Sequence, residues 1–252
     1  MIVAITAICR AQIFEETITS LKQFLMSKEP IKIILNVDPV GVGRNGVGHL
    51  KNKYQNNIVD IAKKYFSDVI YNTPETASFE AACIWLWNQV DEPYFLHWED
   101  DCQLLKNIKC FKIIDLMDKY DNISSYRFHD APIKSNTNKV FGPSNYINDG
   151  KFDFHLSQNW FNNFGTGPSF IKTKFIKDML PLLHLEKNME KQFRCSSEAS
   201  SNKQKQQILK KWRIAWCVSD TPMWKELGVP WRIQHKISKV KDGSPLRYIP
   251  IQ

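Results

Sequence analysis

The chain opens on MIVAITAI, an apolar run from Met1 to Ile8 rich in β-branched residues, which predicts a buried strand. From Arg10 to Glu29 the period changes. Phe14, Ile18, Leu21 and Leu25 fall at spacings of 4, 3 and 4, one stripe of an amphipathic helix. Ile31–Val37 predicts a second strand, ended by Asp38-Pro39 and followed by a glycine-rich loop, Gly41–Gly48, and a helix with Tyr54, Ile58, Ile61 and Tyr65 on one face. Asp68–Tyr71 predicts a third strand. Thr76 or Ser78 can cap a helix in which Phe79, Cys83, Leu86 and Val90 repeat the 4-3-4 spacing. Pro93–Trp98 predicts a fourth strand that runs into Glu99-Asp100-Asp101, and a helix near Ile108–Tyr120 precedes a strand at Ser124–Phe128.

Strands alternating with helices predict an α/β fold, a mixed but mostly parallel sheet flanked by helices. The second half is less regular. Asp130–Lys151, rich in Asn, Pro and Gly, predicts a long loop, and Lys151–Ile171 carries a strand-like stretch and the turn Gly165-Thr166-Gly167-Pro168-Ser169. Phe175–Leu183 is amphipathic, Cys195–Gln207 is nearly low-complexity and expected to be mobile, Trp212–Val218 is a last apolar run, and the tail after Asp242 reads as loop.

Composition narrows the class. With 43% hydrophobic and 24% charged residues the chain is neither disordered nor collagenous, and no apolar run reaches the ~20 residues of a membrane helix. Met1–Ala11 lacks a basic leader region, so a soluble, cytoplasmic protein is expected. Six cysteines without a C-x-x-C pair fit reduced thiols rather than a zinc site or disulfide framework. The net charge of +8 leaves nucleic acid, anionic membrane and phosphorylated small molecules open as partners.

In open α/β sheets ligands bind beyond the carboxyl ends of the strands. Arg10, Asp38 and Glu99-Asp100-Asp101 stand there, one cation among four carboxylates. Three adjacent carboxylates repel one another unless a cation sits among them, and hard oxygen donors favour Mg²⁺ or Mn²⁺. Strand alternation places Glu99 and Asp101 on one side and Asp100 on the other.

The strand Tyr94–Trp98 ending in Glu99-Asp100-Asp101 resembles the acidic DxD signature of GT-A glycosyltransferases, in the Glu-Asp-Asp form found among N-acetylglucosaminyltransferases. Ile5–Arg10 is similar to that family's nucleotide-binding first strand. The resemblance implies one GT-A-like domain over residues 1–252, with a nucleotide-binding half (1–102) and an acceptor-side half (103–252). It implies a Mn²⁺- or Mg²⁺-dependent transfer of a sugar from a nucleoside-diphosphate donor to a glycan, glycoprotein or other hydroxyl acceptor, with inversion. Asp101, with Glu99 and His235, would hold the metal, and Thr6, Arg10, Asp38, Ser78 and Asp100 would contact the nucleotide. Glu190, in Met189–Phe193, falls where inverting members carry the base, and Glu186, one helical turn earlier, is the alternative. Gly165–Ile171 would border the sugar and acceptor.

Other readings compete. Gly41-Val42-Gly43-Arg44-Asn45-Gly46 satisfies G-x-G-x-x-G, but it follows the second strand and Asp68 begins the third instead of ending it, so a loop near the donor is expected in place of a dinucleotide fingerprint. Lys203, Lys205, Lys210, Lys211 and Arg213 around Trp212 would suit nucleic acid, yet no nucleic-acid module is recognisable and a solvated face is expected. A non-catalytic glycan-binding protein would use Trp98, Trp160 and Phe161 as stacking platforms.

Overall fold

The computed structural model describes residues 1–41, 50–135, 144–158, 164–193, 202–240 and 247–250. In chain order the elements are β1 (Ile2–Ile8), α1 (Ala11–Phe24), β2 (Leu25–Met26), β3 (Lys32–Asp38), α2 (Lys51–Tyr65), β4 (Asp68–Asn72), α3 (Phe79–Asn88), β5 (Tyr94–Glu99), β6 (Cys102–Leu104) and β7 (Ile108–Lys109). They continue with α4 (Cys110–Lys119), β8 (Ile123–Arg127), β9 (Ser144–Asn148), β10 (Asp153–Ser157), β11 (Ser169–Lys172), α5 (Thr173–Met179) and α6 (Met189–Gln192). The last are α7 (Lys203–Lys211), β12 (Arg213–Cys217), β13 (Trp224–Glu226), α8 (Gly228–Gln234), β14 (Ile237–Val240) and β15 (Arg247–Pro250).

Nine strands form one sheet in the order β4-β3-β1-β5-β11-β8-β12-β10-β9. The first four are mutually parallel, as are β8 and β12, whereas β11 and β10 run the other way. The fold is therefore mixed α/β with a mostly parallel sheet, covered on both faces. Val3, Ile5, Ile33, Leu35 and Leu96 pack toward α1, α2 and α4, while Ile2, Ala4, Ile34, Phe95 and Ile171 pack toward α3, α5 and α7. The stripe Phe14, Ile18, Leu21 and Leu25 is buried as its period requires, although α1 ends at Phe24 and Leu25 opens β2. In α2 the buried face is rotated to Gln55, Ile58, Val59 and Ala62, because Gln55 Nε2 donates to the Val37 and Pro74 carbonyls at 2.8 and 3.0 Å.

Several expectations are corrected. Within the expected 130–151 loop, β9 is a strand, because β10 supplies a full antiparallel ladder for it. Arg247–Pro250 pairs with Ile237–Val240, so the tail carries a strand. Residues 203–207, expected to be mobile, open α7, where the Asn202 side chain accepts from the Gln204 and Lys205 amides. Lys205 is buried and donates to Gln192 Oε1 at 3.1 Å, which removes it from a solvated basic face. Trp98 is also fully buried, its indole N–H on the Cys102 carbonyl, so it stacks on no sugar. Trp160, Phe161, Cys195 and most of the glycine-rich loop lie outside the described residues. The other five cysteines are free. No described helix is long and apolar enough to cross a membrane.

Candidate functional site

The register brings the candidate residues to one edge. Thr6 stands between Asn36 and Glu99, and Ile8 lies beside Asp38. β11 enters the same edge antiparallel, its Ser169 between His97 and Arg127, so the Gly165–Pro168 turn rises beside the end of β5.

Arg10 leaves β1 and turns inward. Its Nη2 donates to Asp100 Oδ1 at 2.7 Å and to Asp101 Oδ2 at 2.9 Å, and its Nε lies 3.3 Å from Asp100 Oδ2. Asp100 also accepts from the Ile8 amide, and its own amide donates to the Thr6 carbonyl. Burial pushes the Asp100 carboxyl up, opposed by the guanidinium. Arg10 and Asp100 were expected at a nucleotide; the structure buries them as an ion pair, side chains 3% and 7% exposed.

Asp38 is anchored as well. Asn36 Nδ2 donates to Oδ1 at 2.8 Å and the Ser78 amide to Oδ2 at 3.1 Å. Burial, with weaker contributions from Asp100 and Glu80, raises its carboxyl to about 6. Ser78 is the N-cap of α3, its hydroxyl accepting from the Ala81 amide at 3.2 Å. Ser78→Ala is expected to cost about 1 kcal/mol, read from denaturant unfolding. Asp38 should stay in place, since its donor is the backbone N–H; a variant as stable as the parent would remove the cap from the account.

Glu99, Asp101 and Cys102 present ligand atoms within 4.8 Å of one another. The Cys102 thiol lies 3.9 Å from Asp101 Oδ1, and burial followed by Glu99 and Asp101 pushes it well above its ordinary range. Two carboxylate oxygens suit a hard divalent cation, whereas the neighbouring thiol, kept protonated by burial and these charges, is a poor ligand. His235 is not in this group. Its ring stacks on Trp231 at 4.5 Å, Nδ1 lies 2.9 Å from the Trp231 carbonyl, and Trp231 in turn lies over Arg10 at 5.6 Å.

Glu190 sits in the short α6, started by Asn188, and the Thr166 hydroxyl donates to its Oε1 at 3.3 Å. Glu186 precedes that helix on an exposed turn, so the two are not one turn apart on a common helix. The fully buried Cys83 thiol of α3 is pushed up by burial and, more weakly, by the charges of Glu99, Glu80, Asp38 and Glu190.

Sequence reading missed three parts of this edge. Glu80, in the first turn of α3, is buried. The Arg127 guanidinium lies against the Gly165 turn, where an added Cβ would stand 2.9 Å from Nη2. Gly228 of α8 packs on Asp101, and its Cβ would stand 2.9 Å from Arg10 Nη1. The glycines at 165 and 167 were a legible signal for close approach, but their partner was not.

His129, which follows β8, is pushed from 6.5 down to about 3 by burial and the nearby Arg127 charge. The unfolded chain takes up this proton near 6.5 and the folded chain does so only near 3. Stability is therefore complete above 6.5 and falls as pH drops toward 3, by up to about 1.4 kcal/mol per pH unit. The difference in stability between wild type and His129→Gln, from thermal unfolding between pH 6.5 and 5, should change with this slope, the raised Asp38 carboxyl acting equally on both chains; a difference independent of pH would refute it.

No known family model and no curated protein matches the chain. Among solved structures it is similar to S. aureus TarS 1-349, with a TM-score of 0.49 and 12% identity over 93% of this chain and 63% of that one. TarS 1-349 in complex with UDP gives 0.47 and 12% over 89% and 59%, and in complex with UDP-GlcNAc 0.48 and 12% over 89% and 58%. The chain thus spans less than two thirds of these structures.

Proposed function

We propose that this chain is a metal-dependent glycosyltransferase that moves a sugar from a nucleoside-diphosphate donor to a hydroxyl acceptor with inversion. The observation that carries this reading is the acidic cluster at the end of β5, where Glu99 and Asp101 present oxygens within 4.8 Å of each other, on the strand edge that also carries Thr6 and Asp38. The DxD resemblance supplies the roles.

Glu99 and Asp101 would hold Mn²⁺ or Mg²⁺. Asp101 Oδ2 is engaged by Arg10, so Oδ1, on the Cys102 side, is the oxygen suited to a cation. When bound, such an ion supplies Lewis-acid stabilisation of the diphosphate leaving group. Asp38, ionised at neutral pH, keeps acceptor capacity beyond its two hydrogen bonds for a ribose or base donor. Thr166 orients Glu190 through Oε1, and Glu190 takes the proton of the attacking acceptor hydroxyl.

Thermal unfolding with Mn²⁺ alone, then with Mn²⁺ plus UDP, GDP or dTDP, tests the reading. At a hundred times its dissociation constant one diphosphate should add about 2.7 kcal/mol, roughly 5–10 °C. No metal-dependent shift with any of them at millimolar concentration would reject it.

A further inference from the structure

We infer that Arg10 is an internal competitor for the metal: a cation built into the chain that occupies Asp101 and weakens the binding of a divalent ion to the carboxylate cluster. This rests on the proposed metal role of Glu99 and Asp101. Its own ground is the geometry of Arg10.

One guanidinium spans two adjacent carboxylates, with Nη2 shared between Asp100 Oδ1 and Asp101 Oδ2. Asp100 is the anchor. It is buried, grips both Nη2 and Nε, and is itself held by the Ile8 amide, so Arg10 cannot follow Asp101 if that side chain swings toward an ion. From outside, Trp231 covers the guanidinium at 5.6 Å and Gly228 closes on Arg10 and Asp101. Leu227, the residue before α8, donates its amide to the Asp101 carbonyl at 2.7 Å, which pins the backbone as well. A divalent ion must therefore bind Asp101 while sharing it with a fixed positive charge. Asp101 loses donor strength toward the ion, and the two cations repel each other at a range where burial limits screening. The same arrangement lets three consecutive carboxylates coexist without metal, since Arg10 neutralises part of their charge.

The test is Mn²⁺ binding by isothermal titration and by the electron paramagnetic resonance signal of free Mn²⁺, without nucleotide. The chains compared are wild type, Arg10→Gln, and Arg10→Gln/Asp100→Asn. The double variant avoids stranding a buried carboxylate and keeps an acceptor for the Ile8 amide. Arg10→Gln is expected to bind Mn²⁺ at least tenfold more tightly than wild type, and the double variant severalfold more tightly. Circular dichroism establishes that each is folded. Equal affinities in all three would overturn the inference and leave the metal reading standing. Mn²⁺ bound by no chain, with or without UDP, would overturn both. Tight binding by the variants with none by wild type, even with UDP, would support the competitor role and refute metal dependence of the native chain.

Discussion

Glu190→Gln is expected to lower the rate of sugar transfer by about 10²- to 10⁴-fold, the usual contribution of a positioned general base. The amide is isosteric with the carboxylate, so it can keep the Thr166 hydrogen bond at Oε1 and the packing of α6. It cannot take a proton from an attacking hydroxyl. Donor binding is expected to survive, because the proposed base would meet the acceptor hydroxyl and not the nucleotide; Glu190 is held through Thr166, in the turn that leads into β11. The check is paired: turnover with the donor selected by thermal shift, and the size of that shift in the variant. A rate within threefold of wild type would remove Glu190 as base. It would point to Glu186, or to a retaining reaction that needs no such base. A rate loss accompanied by loss of the diphosphate shift would instead make Glu190 part of the donor site.

Gly228→Ala is expected to destabilise the chain by pressing on the acidic cluster. Gly228 is the first residue of α8, where Ala is ordinarily the better helix former by up to ~1 kcal/mol. Here the added methyl would run into the Asp101 carboxylate and stand 2.9 Å from Arg10 Nη1. Asp101 could rotate away only by leaving Arg10, and α8 could lift only by loosening Trp231 from the guanidinium. Overpacking of this kind costs about 1–3 kcal/mol, which exceeds the gain in propensity. The variant should therefore lose several degrees of thermal stability. An alanine variant as stable as the parent, or more so, would mean that α8 does not press on Asp101.

The first half of the chain was legible because each of its elements carries its own period. The run Met1–Ile8, the 4-3-4 stripes of α1 and α3, and the strand ending in Glu99 are local patterns, and local patterns are what a parallel, doubly covered sheet imposes. Strand alternation does not carry through the acidic triplet: only Glu99 belongs to β5, Asp100 and Asp101 form the turn before β6, and one Arg10 nitrogen bonds both, while Glu99 and Asp101 still come together beside Cys102. Elements of two to four residues, such as β2, β6, β7, β13 and α6, are too short to carry a period. They exist because a partner strand or a cap satisfies their backbone, and a sequence does not announce a partner from a distant position.

Sequence alone determined that carboxylates and Arg10 collect at the ends of the parallel strands, since chain direction and strand length fix which residues reach that edge. Only the tertiary structure decided what they do to one another. Arg10 could have reached outward to a phosphate, and it is instead buried between Asp100 and Asp101 under Trp231. His235 could have joined the acidic cluster, and it stacks on that same Trp231. Gly228, unremarkable as a letter, sets how closely α8 approaches Asp101. Contacts between residues ninety or more positions apart, such as Arg10 with Asp100 and Asp101, depend on packing across the whole sheet, where desolvation makes a charge choose its nearest fixed partner, and no local pattern encodes that choice.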